Sequence, residues 1–488
     1  MTFNKNGPLL TRNGKREARR IGVVCCGRSP SVAHTRATPS EQEIDARPGL
    51  MPREFDIVLF GASGSVGTIM AAKFAASQAV NWAIAGRSTA KLEAVYRSLP
   101  AGGKKPRLIL ANAVDEDSMR EMARRAKVLV TTVGPYAEHG EAVVRACVEE
   151  STHYVDITGE AFWVSEMRAK YQERAVAKGV CVVSFAGYDC VPFELCVYLA
   201  NQALSMHAGS ASPASRLVSA EALTTMTGGA PRGTLLTCLS FPSQGLSLYA
   251  NWLSYVPTSE RLPFLRDMLL WALPWWSAQA RAFTLPELMG AVSNTIVHAS
   301  APALGYPGLR YNSRFDLTGS MQAMMPATLS SLLSSLCVLG LLPALAMYLV
   351  GLPLMAVSAA IGLPLLVIPP TRNAILHVVQ SYVKYDGDAN ATLIVRTRAK
   401  GSNGELAFAR LTMRGDPGIY VTATCLAETA LAMLECQNRA GSGAEGASGL
   451  PAGFMTPMAA CGEVLAQRIT KSHGTKVSAM CATSRAAR

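Results

Sequence analysis

Between Phe55 and Ala186 the chain alternates two hydrophobic rhythms. Ile57 to Phe60, Trp82 to Ala85, Arg107 to Leu110, Val128 to Val133, Tyr154 to Ile157 and Val180 to Phe185 are short apolar runs that read as buried strands. The stretches around Val66 to Ser77, Lys91 to Ser98, Asp117 to Ala126, Gly140 to Glu149 and Phe162 to Lys178 instead carry apolar residues at helical spacing. Strands that are apolar on both faces need helices on both faces. Residues 53–190 therefore predict an α/β fold, a doubly wound parallel sheet that holds ligands at the C-terminal ends of its strands.

After residue 190 the rhythm changes. Leu217 to Thr227 reads as a strand that leads through Gly228-Gly229 into a helix, while Ala389 to Ala399 and Glu405 to Arg414 alternate as an antiparallel hairpin across Gly401 to Gly404. Residues 191–420 are expected to form an inserted α+β domain. Tyr420 to Glu435 reads as a helix and Gly441 to Gly453 as a flexible loop, within a C-terminal helical region at 421–478 that ends in a disordered tail, 479–488.

One segment breaks both rhythms. From Leu317 to Thr371 no residue is charged, and two dense apolar runs, Leu329 to Val350 and Leu352 to Ile368, would span roughly 33 and 26 Å as helices. Pro343, Gly351, Pro353, Gly362 and Pro364 would kink them into a hydrophobic helical hairpin over 329–368. A single crossing would separate the C-terminal elements from the rest of the fold. The expectation is a re-entrant or monotopic hairpin that anchors the chain to the cytosolic face of a membrane or lipid droplet. The alternative is a helical pair buried in the second domain or in a homodimer interface.

Composition narrows the classes. The 488 residues are 49% hydrophobic and 16% charged, enough for two or three domains with large cores. The net charge of +12 would suit nucleic acid, but residues 1–50 hold +5 of it and 468–488 another +5. The body between is nearly neutral, so no nucleic-acid partner is expected. Residues 1–52 are basic and lack the apolar core of a secretory signal. They read as a disordered arm, as a transit-like extension for mitochondrial import, or as a stretch upstream of a natural start at Met51. The twelve cysteines show neither CxxC nor Cys/His ligand spacing. No metal site is expected, and several cysteines read as small buried hydrophobes in a reducing compartment.

The chemistry concentrates at the predicted strand ends. Asp56 to Met70, DIVLFGASGSVGTIM, carries a strand through Gly61, Ala62, Ser63, Gly64, Ser65, Val66 and Gly67 into a helix, a glycine turn whose bare N–H groups suit a pyrophosphate. The second strand ends in Gly86-Arg87-Ser88 with no acidic residue for a ribose 2′-OH. A guanidinium beside a hydroxyl suits a 2′-phosphate, so NADP(H) is expected, with NAD the alternative. Later strands end at Val133-Gly134-Pro135-Tyr136, with His139 beyond, and at Gly187-Tyr188-Asp189. Tyr136, His139, Tyr188 and Asp189 are the candidates for proton donation or substrate orientation, against the plainer reading that such residues serve turns and caps. No GxSxG elbow follows a strand, so a hydrolase is not expected.

The segments FDIVLFGASGSVG, WAIAGRSTAKL, VGPYAEHGEAVVRAC, YVDITGE, GVCVVSFAGYDCVPFELCVYLA and GFMTPMAACGEVLAQRITKSHG resemble the saccharopine dehydrogenase-like oxidoreductases, in the branch grouped with bacterial trans-acting enoyl reductases. They recur in family order over roughly residues 53–478. The resemblance implies a Rossmann domain, an inserted α+β domain and C-terminal helices that return to the Rossmann sheet. It also implies a nicotinamide cofactor contacting Gly61 to Gly67, the segment around Arg87, and Val133-Gly134-Pro135. Relatives often have Asp at the end of the third strand, where this chain has Asn112, whose amide still offers a hydrogen bond to adenine.

The expected function is hydride transfer by an NADP-dependent enzyme to an apolar or lipid-derived small molecule at a membrane or lipid droplet surface. A nucleotide-binding scaffold or sensor without turnover is the alternative from another class. Saccharopine-type amino acid dehydrogenation is the second enzymatic reading. It is set back because its substrate carries several carboxylates and the sequence shows no Arg cluster around a second-domain cleft.

Overall fold

The computed structural model describes residues 53–482 except 78–79, 208–214, 229–251, 272–274, 278, 281, 288, 317–367, 383–384, 386 and 442–448. The hairpin expected at 329–368 lies outside the described residues apart from Ile368, as do the expected extension at 1–52, the helix after Gly229 and most of the loop Gly441 to Gly453.

The elements run in chain order as β1 (Phe55–Phe60), α1 (Ser65–Ala76), β2 (Trp82–Gly86), α2 (Thr89–Ser98), β3 (Arg107–Leu110), α3 (Glu116–Arg124), β4 (Ala126–Thr131), α4 (Tyr136–Glu149), β5 (His153–Asp156), α5 (Ala161–Ala177), β6 (Cys181–Val183) and α6 (Val191–His207). There follow β7 (Leu217–Met226), α7 (Arg261–Trp271), β8 (Trp275–Ser277), β9 (Ala282–Pro286), α8 (Gly290–Ser300), β10 (Arg310–Phe315), α9 (Pro369–Tyr382), β11 (Thr392–Gly401) and β12 (Leu406–Arg414). The chain closes with α10 (Thr422–Gly441), β13 (Gly453–Met455), α11 (Pro457–Lys471) and β14 (Thr475–Ala482).

Sheet A is parallel throughout, in the order β13-β6-β5-β4-β1-β2-β3. β1 sits between β4 and β2, which makes the β1/β4 boundary the topological switch point of a doubly wound sheet. The apolar runs explain the burial: Ile57, Val58, Leu59, Val128, Leu129, Val130 and Val155 are fully buried. β4 begins and ends earlier than its apolar run predicts, because Thr132 and Val133 leave the ladder to stand against Gly61.

Sheet B is mixed, in the order β14-β12-β11-β7-β10-β9-β8, with β7 and β10 parallel and the β11/β12 hairpin antiparallel. α6 packs against β11, β12 and β14, and α10 packs on α1, β4 and β5. The C-terminal region thus returns to the Rossmann sheet, and it also adds β13 to that sheet's edge. The stretch expected as a tail from 479 is a correction. β14 continues to Ala482, because Val477, Ala479 and Cys481 alternate with Lys476, Ser478 and Met480 and so give the strand one half-buried face. Among the described residues one helix, Pro417–Ala440, is long and apolar enough to cross a membrane, but most of it is buried within the fold.

Candidate functional site

The predicted turns meet along the C-terminal edge of sheet A. Backbone hydrogen bonds fix them side by side: Ala111 N–H donates to the Gly86 carbonyl at 3.0 Å, Gly61 to Ala85 at 3.0 Å, Thr132 to Phe60 at 3.0 Å and Ala186 to Asp156 at 2.9 Å. Asn112, Arg87 and Ser88, the Gly61–Gly67 turn, Val133–Pro135 and Gly187–Asp189 therefore follow one another along a single rim.

The glycine turn is shaped for close approach. Gly61 has a φ of +90°, and a Cβ there would stand 2.7 Å from Thr132 Oγ1 and 2.8 Å from Val133 Cγ2. A Cβ on Gly67 would stand 2.3 Å from the Gly61 carbonyl oxygen, so bare glycine lets α1 start directly over the turn. Ala62 is buried and Val66 half-buried, whereas Ser63, Gly64 and Ser65 are exposed. Gly64 caps α1 without a side-chain hydrogen bond, and the first turn of α1 holds no acidic residue. A helix start with no competing cap or negative charge fits a pyrophosphate.

At the next strand end Arg87 is exposed and has no ion pair among the described residues. Ser88 caps α2, its Oγ accepting from Lys91 N–H at 3.4 Å, so it holds the turn that presents Arg87. Lys91, exposed in the first turn of α2, is a second cation that the sequence reading passed over. Asn112 is exposed at the third strand end, where its backbone N–H donates to Ser118 Oγ at 3.1 Å and its carbonyl accepts from Asp115 N–H at 2.9 Å.

On the other side of the switch point, Val133 N–H donates to Thr131 Oγ1 at 3.2 Å, and the Gly134–Pro135 peptide is cis. Glu160, from the end of the next strand, caps α4: its carboxylate accepts from Tyr136 N–H at 3.1 Å and Ala137 N–H at 2.9 Å. Burial pushes the Glu160 carboxyl up, against those two N–H groups. Sequence reasoning missed this cap, since its partners lie 24 residues apart.

The four candidate proton donors occupy different places. Tyr136 is buried, its hydroxyl donating to the Thr131 carbonyl at 3.1 Å and its ring 5.6 Å from that of Trp163; burial pushes the phenol well above its ordinary range. Tyr188 is also buried, with its N–H donating to Thr422 Oγ1 at 3.3 Å. His139 is the accessible member, with a side chain 35% exposed and 3.9 Å from Glu138. Asp189 is buried beside Cys190, and burial lifts its carboxyl to about 7.

Behind the rim lies a set of buried acids. Asp156 accepts from the Tyr154 hydroxyl at 2.7 Å, the Ser184 hydroxyl at 3.2 Å and Thr158 N–H at 3.1 Å, yet burial still raises it to about 7. Glu194 accepts from Met458 N–H at 3.3 Å and is raised to about 7. Glu287, brought in from the second domain, is raised by burial to about 8. Burial first, and then the neighbouring Asp189, Glu194 and Glu287 carboxyls, push the Cys190 thiol well up. No local pattern could have flagged Glu287, because tertiary packing alone places it here.

Residues 57–183 match the family described as the saccharopine dehydrogenase NADP binding domain. The match spans 127 of the 488 residues. The matched family is an NADP-binding one, which supports NADP(H) as the cofactor of this domain. The chain is 41% identical over 148 residues to a lipid droplet localized protein of Caenorhabditis elegans and 38% identical over 164 residues to the saccharopine dehydrogenase-like oxidoreductase of Mus musculus. It is 39% identical over 147 residues to a trans-acting enoyl reductase of Mycobacterium leprae. These matches cover 29–31% of this chain and 35–38% of the relatives' lengths, so the chain spans little more than a third of the curated relatives it matches. A saccharopine dehydrogenase structure from Saccharomyces cerevisiae aligns over 88% of this chain and 99% of that one, at 13% identity and a TM-score of 0.46.

Proposed function

We propose that this protein is an NADP(H)-dependent oxidoreductase that reduces an apolar, lipid-derived acceptor at the cytosolic face of a membrane or lipid droplet. The observation that carries the reading is the open glycine turn at the switch point with Arg87, free of carboxylate partners, on the neighbouring strand end. Bound NADPH supplies the hydride. Gly61 to Gly67 and the α1 N-terminus would hold the pyrophosphate, Arg87 and Ser88 the 2′-phosphate, and Asn112 the adenine, with Val133 to Pro135 beside the nicotinamide. His139 at the rim and Asp189 behind it are the groups we assign to proton delivery, while Tyr136 and Tyr188 form the wall. The lipid half of the reading rests on the uncharged stretch 317–371 and on the similarity to a lipid droplet localized protein.

The test is titration of the full chain in mild detergent with NADPH and NADH, followed by nicotinamide fluorescence. Tighter binding of NADPH that Arg87→Ala weakens about tenfold, with NADH unaffected, supports the assignment. Absence of binding by either nucleotide overturns it. A second reading is a nucleotide-binding scaffold or sensor. It is favoured by the burial of three of the four proton-donor candidates, and failure of every lipid extract to oxidise bound NADPH would select it.

A further inference from the structure

The outer face of sheet B holds a pocket for which hydride transfer has no use. Residues paired directly across neighbouring strands share a face. The register Asn312–Glu221–Arg398–Phe408–Met480 therefore marks one side of the sheet, from β10 across β7, β11 and β12 to β14. On that side α7 and the strands enclose a cleft of about 270 Å³ lined by Glu221, Asp267, Arg310, Arg398 and Lys400. α7 is fixed over β10, with Asn312 Nδ2 donating to the Asp267 carbonyl at 3.1 Å and Arg314 Nη2 to the Leu270 carbonyl at 2.7 Å. Arg310, Arg398 and Lys400 are distant along the chain and meet only through strand pairing.

The charges do not cancel. Asp267 is engaged by Tyr311 N–H at 2.7 Å and paired with Arg266 at 2.8 Å, and Glu221 accepts from the Ser277 hydroxyl at 2.6 Å. Arg310, Arg398 and Lys400 have no ion pair among the described residues, while Glu221 already lies in the field of the Arg314 guanidinium. An anion is the complement of this cleft.

A second observation lies on the same helix. Leu262, Leu265 and Leu269 of α7 are 78%, 41% and 73% exposed, and at about 100° per residue they fall within about 60° of one another on the outward side. Phe264, Asp267 and Met268 form the buried side, and Leu270, between the two, lines the cleft. Across the sheet Met480 is 49% exposed. Single exposed leucines are ordinary, but three in a stripe beside unpaired cations are not. A soluble anion would use the cations alone, whereas a lipid surface uses both: acyl chains take the leucines, and a phosphodiester takes the cleft.

We propose that this face docks on an anionic phospholipid surface, with a phosphodiester among Arg310, Arg398 and Lys400 and with Leu262, Leu265 and Leu269 in the acyl region. β7 runs from the cleft at Ser219 roughly 20 Å to its far end. There Gly228 abuts Asp416, the cap of the Pro417–Val421 turn that packs on α1. Docking at the cleft therefore leaves the nucleotide rim uncovered. The proposal deepens the lipid-surface half of the proposed function and does not depend on hydride transfer.

The test is flotation of the full chain with vesicles of phosphatidylcholine alone or mixed with phosphatidylserine, alongside NADPH titration of every variant. Expected is about tenfold more binding to the anionic vesicles, abolished by R398E/K400E, with L265E/L269E weakening both vesicle types. Equal binding to the two vesicle types overturns the proposal, as does anionic selectivity that survives R398E/K400E. Displacement by millimolar inorganic phosphate, together with vesicle binding that L265E/L269E leaves unchanged, also overturns it and makes the cleft a soluble-anion site. Intact NADPH binding with failed flotation sinks the docking face alone. Selective flotation without NADPH binding sinks the oxidoreductase reading alone.

Discussion

A Cβ placed on Gly140 would lie 2.4 Å from Cζ2 of Trp163. The pair joins α4 to α5, and the same two helices bring Tyr136 and its Glu160 cap together at the rim. Gly140→Ala would gain about 1 kcal/mol in helix propensity, but the fully packed indole must shift, so a net loss of about 1–2 kcal/mol is expected in urea unfolding. Unchanged stability would show that Trp163 has slack which the packing does not reveal.

Gly64 and Gly67 separate turn architecture from nucleotide contact. A Cβ on Gly67 would meet the Gly61 carbonyl oxygen at 2.3 Å, and backbone cannot rotate away; one on Gly64 would meet the same atom at 3.4 Å, an ordinary contact. Gly67→Ala is expected to lower the unfolding midpoint and abolish NADPH binding. Gly64→Ala should keep the midpoint and weaken NADPH by about tenfold, through the crowded pyrophosphate alone. Equal midpoints for the two variants would contradict this division of roles.

The Rossmann domain was legible because each signal was local. Continuous apolar runs, glycines at fixed spacing and Arg87 at a strand end are all contained within single βα units. The β11/β12 hairpin was legible for the same reason, its alternation flanking a Gly-bounded turn. The rest depended on contacts distant in sequence. β13 is three residues long and finds its place beside β6 only after the whole second domain has intervened. Glu160 as a cap, Glu287 among the buried acids and the Arg310, Arg398 and Lys400 cluster likewise have no signature shorter than the fold itself.

The buried acids set a pH dependence of stability. Asp156, Asp189 and Glu194 are raised to about 7 and Glu287 to about 8, in each case chiefly by burial. Between the ordinary carboxylate range and those values the folded chain holds protons that the unfolded chain has released, so stability is fullest at the acid side of that window and falls as pH rises through 7 to 8. Glu287→Gln removes one such proton without changing shape. Its urea midpoint should match that of the parent near pH 5 and exceed it at pH 8. A parent midpoint that rises between pH 6 and 8 would count against these acids being protonated in the folded state.

Asp189 carries the sharpest catalytic prediction because its titration falls inside the working range. A donor must hold its proton, so a carboxyl titrating at about 7 predicts that kcat for acceptor reduction falls as pH climbs past 7. Asp189→Asn keeps the size and the buried turn but has no proton to give. It should lower kcat by about a hundredfold and flatten that limb, while NADPH affinity, set at Gly61 to Gly67 and Arg87, stays within about twofold. His139→Asn provides the contrast, since His139 lies at the rim with a side chain 35% exposed. If the alkaline limb survives in Asp189→Asn and vanishes in His139→Asn, the proton comes from the imidazole, and Asp189 belongs to the buried structural acids with Asp156 and Glu194.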